Sequence, residues 1–422
     1  MKKRLYIIIL LTFVLVCSTM TLGLAADKIV LEFPSWQATE PGFSDWYNEL
    51  IDEFESEHPN VEINFYQKPF KDYVNTLTVQ FGAGNPPDIF ISSKGTAPGL
   101  IDMGWLLPLD SRLEGTDILA SWNPLQNGLK QNGHVYGVLL LGYGYSLYYN
   151  EKMFEEAGVS LPPTTLEELY EAAKKLTVDK DNDGNIDQYG FGMETAAGNP
   201  DVYTAAMNFV TGYGGAFSRD GELTVHDPAV VKGLKMVDKL AEERLIPMGL
   251  TSSQKRSYFF EGKIAMIIDG PWVLALKESA NPEVAKHIKV AIAPTNSGNV
   301  SGGLSNSIHI PKGISKEKEE LVWQFIYELT KPKWQVRYME LAKCPAAREG
   351  VLTEELLNKI PEMKIFVTSS RMAVDALPSG YETQYNIFTR IVSDAVVKLM
   401  TTDESVESIL DSLEQELKLE LE

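Results

Sequence analysis

Apolar positions recur along this chain with two different periods. Between residues 43 and 58, Trp46, Leu50, Ile51 and Phe54 fall three or four apart, the spacing of one helical face, and Pro59-Asn60 ends the run. Residues 28–33 alternate instead, as a strand does, and lead into Pro34-Ser35-Trp36-Gln37. Residues 61–66 predict a second strand and 73–81 a second helix, stopped by Gly82-Ala83-Gly84-Asn85. Pro86-Pro87-Asp88-Ile89-Phe90-Ile91 predicts a third strand that delivers Ser92, Ser93 and Lys94 to a loop. Strand, helix, strand, helix, strand is the order of an α/β lobe with a mostly parallel sheet.

The pattern is sharpest at residues 258–272. Phe259 and Phe260 close a helix, with Gly262 as its stop. Residues 264–268 form a short Ile-rich run suited to a strand buried on both faces. Asp269-Gly270-Pro271 breaks it, and Trp272 stands where a strand ends and a helix begins. In open α/β sheets the crevice beyond the strand ends is where ligands sit. Trp272 therefore suits either a packed core ring or a ligand-facing one.

Composition narrows the classes. The chain opens with Met1-Lys2-Lys3-Arg4, an apolar run over 5–16, and small residues at Gly23, Ala25 and Ala26. That order predicts a secretory signal over 1–26, and the apolar run is too short to span a bilayer well. Cys17 offers the alternative of a lipid tether, although Val16 precedes it where a small residue is expected. An extracytoplasmic protein follows. Cleavage removes Lys2, Lys3 and Arg4 and no acid, so the mature chain is still more acidic than the −20 of the full sequence. Such acidity argues against nucleic acid and anionic membrane surfaces as partners. Of two cysteines only Cys344 remains after cleavage, so no intrachain disulfide forms.

Three kinds of chemistry are open to these residues. Asp179, Asp181, Asp183 and Asp187, with Gly184 at the bend, match positions 1, 3, 5, 9 and 6 of a calcium loop. Position 12 is Gly190, so the bidentate acid is missing, and a solvated acidic turn is the alternative. The sequence has five histidines and neither a Gly-x-Ser-x-Gly nor a His-Glu-x-x-His motif. A carboxylate pair for glycoside hydrolysis stays open as the enzymatic alternative. Sugar binding needs rings for apolar faces and polar groups for hydroxyl rims. Strand-end loops supply both: Trp36 with Gln37 and Glu40, Ser92 with Ser93, Tyr143 with Tyr145, Glu194 with Asn199, and Asp269 with Trp272. Tyr381 and Tyr385 add candidates from the last segment. An acidic sugar would need a buried cation, for which Lys94, Arg256 and Arg371 are available.

Several motifs agree in order over about residues 28–350. They are Gly82-x-Gly84-x-Pro86-Pro87-Asp88-Ile89, Gly104-Trp105-Leu106-Leu107-Pro108-Leu109-Asp110, Asn132-Gly133-His134-Val135-Tyr136-Gly137-Val138, and Glu261-Gly262-Lys263-x-Ala265-Met266 followed by Gly270-Pro271-Trp272. With them the chain resembles extracellular solute-binding proteins of the maltose-binding type, which serve ABC importers. The resemblance implies two α/β lobes of the periplasmic-binding-protein fold, each a mostly parallel sheet flanked by helices, with a ligand cleft between. It implies three crossings, at Gly142 and Gly144, at Gly302-Gly303, and at residues 343–348. The N-terminal lobe would then hold 27–142 and 303–355, and the C-terminal lobe 143–302 and 356–422. It further implies a stacking role for Trp272, and a ligand contact at Tyr143 that departs from the polar or acidic one of relatives. A carbohydrate ligand, a membrane permease as partner, a monomer, no catalysis and no required cofactor complete the expectation, with structural calcium at 179–187 as an option.

Overall fold

A computed structural model of the protein describes residues 28–93, 95–160, 162–277 and 280–421. The expected signal at 1–26, the tether at Cys17 and Lys94 lie outside the described residues, as does the side chain of Ser93.

The local patterns form the elements they predict. Helix Phe43–Glu57 buries Phe43, Trp46, Tyr47, Leu50, Ile51 and Phe54 on one face. Helix Leu166–Leu176 begins with a reciprocal cap, in which Glu168 N–H donates to Thr165 Oγ1 at 3.2 Å and the Glu168 carboxylate accepts from Thr165 N–H. Helix Ser252–Phe260 ends before Gly262, which takes a left-handed φ of 76°. The strand that follows, Ile264–Asp269, is buried at every position.

Two sheets organise these elements into two lobes. In the first, the long strand Val300–His309 lies between Val138–Gly144 on one side and Phe90–Ser93 and Ala373–Asp375 on the other. The parallel pair Ile29–Ser35 and Val61–Gln67 continues it, because Asp88 and Ile89 N–H both donate to Glu32 O at 3.0 Å. The second sheet runs in the order Ile288–Ile292, Ser146–Asn150, Ile264–Asp269, Tyr189–Gly192. Helices Asp201–Gly212, Pro228–Glu242, Tyr385–Thr401 and Val406–Leu421 pack together beside it.

The sheets are mixed, not mostly parallel. In the second sheet only Ile264–Asp269 with Tyr189–Gly192 is parallel, and Ser146–Asn150 opposes both of its neighbours. The cause is the crossing. A parallel neighbour needs a return connection, usually through a helix. Here the chain leaves Val138–Gly144 and enters Ser146–Asn150 through Tyr145 alone, and comes back to the first sheet between Ile292 and Val300. Strands joined this directly carry their direction from one sheet into the other.

The crossings are tight. A Cβ at Gly302 would fall 2.1 Å from Tyr143 O, and one at Gly144 would fall 2.1 Å from Ser369 O. Residues 344–348 stay against the first lobe, where Asn123 N–H donates to Ala347 O and Arg348 pairs with Asp117. Helices Glu354–Lys359 and Met363–Met372 then pack through Leu356, Met363 and Phe366 on Phe259, Ile264 and Ile267. No helix among the described residues is long and apolar enough to cross a membrane.

Candidate ligand-binding site

Three aromatic rings meet at the first crossing. Tyr143 and Tyr145 flank Gly144, and Trp272 arrives from the end of Ile264–Asp269. Trp272 lies edge-on to Tyr143 with centroids 4.9 Å apart, and to Tyr145 at 6.4 Å. The tyrosines are edge-on to each other at 5.2 Å, and Tyr143 OH donates to Tyr145 OH at 3.2 Å. Both tyrosines are buried, whereas Trp272 is half-buried. The Trp272 ring folds back over Gly270, where a Cβ would lie 2.2 Å from its Cη2 atom. Gly270 is thus required by the ring's position.

Beneath this cluster lies a buried charge network. Asp269, 1 % exposed, accepts from Arg256 Nε at 2.8 Å and Nη2 at 2.9 Å, and from Gly270 N–H at 2.8 Å. Lys255, 2 % exposed, reaches Asp269 at 3.1 Å, Glu194 at 2.8 Å and Ile268 O at 3.1 Å. Burial opposes the charge on Asp269, but Arg256 and then Lys255 outweigh it and hold the carboxyl well below the usual range. Burial likewise works against Lys255, and Asp269 and Glu194 raise its pKa regardless. Two cations and two carboxylates sum to zero. The Arg256 guanidinium also lies 5.9 Å from the Trp272 ring, so the network steers the aromatic cluster from below.

Glu40 faces this network from the first lobe, just after the single turn Trp36–Thr39. Its side chain is exposed, with protein packed around much of it. Loss of hydration pushes its carboxyl up to about 7, and Arg256 draws part of that back. A titratable acid and a guanidinium thus interact across the two lobes.

The family model for bacterial extracellular solute-binding proteins matches residues 38–336. The chain belongs to that family. Among relatives of this solute-binding protein, a putative binding protein of Brucella abortus is 25% identical over 309 residues, covering 70% of this chain and 71% of its own. The galactooligosaccharide-binding protein of Bacillus subtilis is 24% identical over 354 residues, 79% of this chain and 78% of its own. A solute-binding protein of Thermotoga lettingae, solved with α-D-tagatose, superposes with a TM-score of 0.77 at 24% identity, over 93% of this chain and 100% of that one. It shares the two-lobed fold.

Other residues singled out from the sequence of this solute-binding protein are placed elsewhere or are already engaged. Ser92 is fully buried in the first sheet, bonded to Ser307 Oγ at 2.7 Å and His309 Nε2 at 2.8 Å. That pair has the look of a nucleophile and base. However, Ser92 and His309 are both 0 % exposed and His309 Nδ1 is 2.8 Å from Tyr136 O, so the network is sealed within the sheet; burial lowers the imidazole pKa to about 4. Trp36 is 8 % exposed and packs edge-on to Tyr73 at 4.9 Å, and Gln37 is 2 % exposed. Tyr381 OH donates to Gly221 O at 2.7 Å and its ring packs on Phe388, which holds a turn at 220–221. Asn199 Oδ1 accepts from Asp201 N–H at 3.1 Å, and its buried Nδ2 has no partner. Arg371 is exposed and pairs with Glu349 at 3.5 Å.

Tyr385, by contrast, is half-buried against Gly95, where a Cβ would lie 2.4 Å from its ring. Lys255 was not visible as a partner of Asp269 in the sequence. The only signal was a pair of basic residues in the helix before a buried strand that ends in an acid.

In the acidic loop, one oxygen each of Asp179, Asp181 and Asp187 lies within 4.8 Å of the others. Asp183 is not in this group, because its carboxylate turns to Asn185 N–H at 2.7 Å and Asn185 Nδ2 at 2.9 Å. Asp179 Oδ1 is shielded from water and has no partner, while its Oδ2 accepts from Gly184 N–H at 2.9 Å. An oxygen-only donor set with one orphaned, shielded oxygen suits a hard cation.

Proposed function

We propose that this protein captures a neutral sugar, a mono- or oligosaccharide, in the cleft between its lobes and delivers it to the permease of an ABC importer. The observation that carries this reading is an aromatic platform, Trp272 on Tyr143, set over a charge network of zero net charge. A neutral network holds groups in place without attracting anions, and a half-buried indole offers a face for a sugar ring. The names of relatives and neighbours, galactooligosaccharide and tagatose among them, support the same ligand class. Polyols share this chemistry and are the alternative within it. A uronate is disfavoured, because Arg256 is already neutralised by Asp269.

Trp272, Tyr143, Tyr145 and Glu40 are the side chains assigned to the ligand. Asp269 acts by orienting Arg256, since its oxygens are occupied. The lobes comprise 27–142 with 303–355, and 143–302 with 356–422. Ligand binding favours the closed arrangement, by as much as its affinity differs between the two states. The protein acts as an exported monomer without catalysis. Asp179, Asp181 and Asp187 hold a structural calcium ion, and a calcium-dependent rise in melting temperature, absent in Asp187→Asn, tests this.

The reading itself is tested by calorimetry against a panel of neutral saccharides, polyols and uronates. Tight binding of one neutral member without chemical change is expected. Trp272→Ala should weaken it by about 2–4 kcal/mol, the scale of a buried aromatic anchor. Conversion of a panel member to product would instead establish an enzyme.

A further inference from the structure

Away from the ring cluster, a recess of about 360 Å³ is lined by Lys277, Lys286, Lys343 and Lys359, with Glu362 as its one carboxylate. Its apolar wall is formed by Leu274, Ala285 and Ile360. Four ammonium groups thus surround one recess, with the carboxylates of Glu362 in its lining and of Glu283, Glu340 and Glu355 beside it.

The four are not equivalent. Lys286 pairs with Glu283, and Lys359 pairs with Glu340 at 3.1 Å and Glu355 at 2.9 Å. Lys277 and Lys343 are half-buried, and among the described residues neither has a carboxylate partner. Lys277 Nζ donates to Ile288 O at 3.1 Å. Lys343 caps helix Pro332–Ala342 in a left-handed conformation, φ 56°, that glycine or asparagine occupies most readily. The turn itself therefore does not explain a lysine there. Half-buried ammonium groups with no carboxylate partner among the described residues are unfavourable, and an anion would relieve both.

Position adds a consequence. Lys277 closes the short helix Val273–Leu276, whose other end is Trp272 in the cleft. Lys343 closes a helix fastened to the first lobe, where Trp46 Nε1 donates to Trp334 O at 2.9 Å and Arg337 grips Glu49 at 2.6 and 2.7 Å. The recess thus draws the two lysines that lack a carboxylate partner among the described residues from elements belonging to different lobes.

We propose that this recess binds a small multivalent oxyanion of the phosphate class, free or as an ester. By bridging Lys277 and Lys343, the anion favours the lobe arrangement in which both face it. Anion and cleft ligand then alter each other's affinity by the same factor. This coupling rests on the solute-capture reading, whereas the anion binding does not.

The test is calorimetric titration of the protein with pyrophosphate at constant ionic strength and without any sugar, so its result is independent of the ligand assigned to the cleft. Saturable binding is expected, weakened about tenfold or more in Lys277→Gln and in Lys343→Gln, since each removes one charge-assisted contact. Lys235→Gln, whose ammonium pairs with Glu407 elsewhere, should leave it unchanged. The two recess variants are made separately, so that misfolding of one leaves the other informative. Phenyl phosphate binding more tightly than inorganic phosphate assigns the site to esters that use the Leu274 and Ile360 wall, and the reverse order assigns it to the free ion. Absence of binding, or binding that neither recess variant weakens, overturns the proposal.

Discussion

Neutralising Asp269 without changing its shape isolates the contribution of the buried network. In Asp269→Asn, Lys255 and Arg256 keep their positions and lose their shared counter-charge. The contacts to be lost are 2.8 Å to Arg256 and 3.1 Å to Lys255. At an effective dielectric of about 20, each amounts to about 5–6 kcal/mol of gross attraction. Desolvation of the ions cancels most of that in the intact network, but the cost persists for the two cations once Asp269 is neutral. The expected net loss is therefore about 3–5 kcal/mol of folding stability. Urea unfolding followed both by circular dichroism and by tryptophan fluorescence measures it, and coincident transitions license the two-state treatment. Lys255→Met closes a double-mutant cycle. Once Asp269 is gone, removing Lys255 should cost less than in the wild type, a coupling of about 1–3 kcal/mol. A loss below about 1 kcal/mol in Asp269→Asn, or zero coupling, would refute the argument that these charges depend on one another. The sign with pH follows from the depressed carboxyl. Its stabilisation is complete above the unfolded value near 3.8 and is lost as the pH falls below it.

Other consequences are open to measurement. His309, lowered from 6.5 to about 4, stays neutral in the fold while the unfolded chain takes up a proton. Stability should therefore fall by about 3 kcal/mol between pH 6.5 and 4, with a flatter profile in His309→Gln; equal slopes in the two proteins would exclude His309 as the source. Glu40, raised from 4.5 to about 7, gains its charge mainly between pH 6 and 8. Affinity for a ligand whose hydroxyl donates to it should rise across that window, and Glu40→Gln should flatten the dependence. Gly270→Ala would place a methyl 2.2 Å from the Trp272 ring. A shifted tryptophan emission spectrum and weakened ligand binding are expected, and an unchanged spectrum would mean that the ring has room to spare.

Much of the fold was legible locally. The face of helix Phe43–Glu57, the cap at Thr165 and Glu168, and the stop at Gly262 depend on backbone bonding and side-chain spacing within a few residues. The break at Asp269-Gly270-Pro271 placed Trp272 at a strand end for the same reason, and the glycines around Tyr143 marked a place where chains approach closely. Strand direction was not legible. That Ser146–Asn150 opposes both neighbours follows from a crossing at a single residue, and spacing along one strand carries no record of its partner.

The site divides along the same line. Residue types and strand-end position were enough to select Tyr143, Tyr145 and Trp272, because each stands beside a turn that local sequence dictates. Their meeting, at 4.9 to 6.4 Å, was decided by the packing of two sheets. Ser92 and Tyr381 occupied equally suggestive places, yet tertiary contacts to His309 and Gly221 committed them to structure. Lys255 reaches Asp269 from a different element, and Glu40 senses Arg256 from the other lobe. Local sequence thus determined the elements and the residues at their ends, because backbone geometry acts over a few positions. Which ends meet, and which charges are buried together, was decided by topology, because those energies depend on distances between segments far apart in the chain.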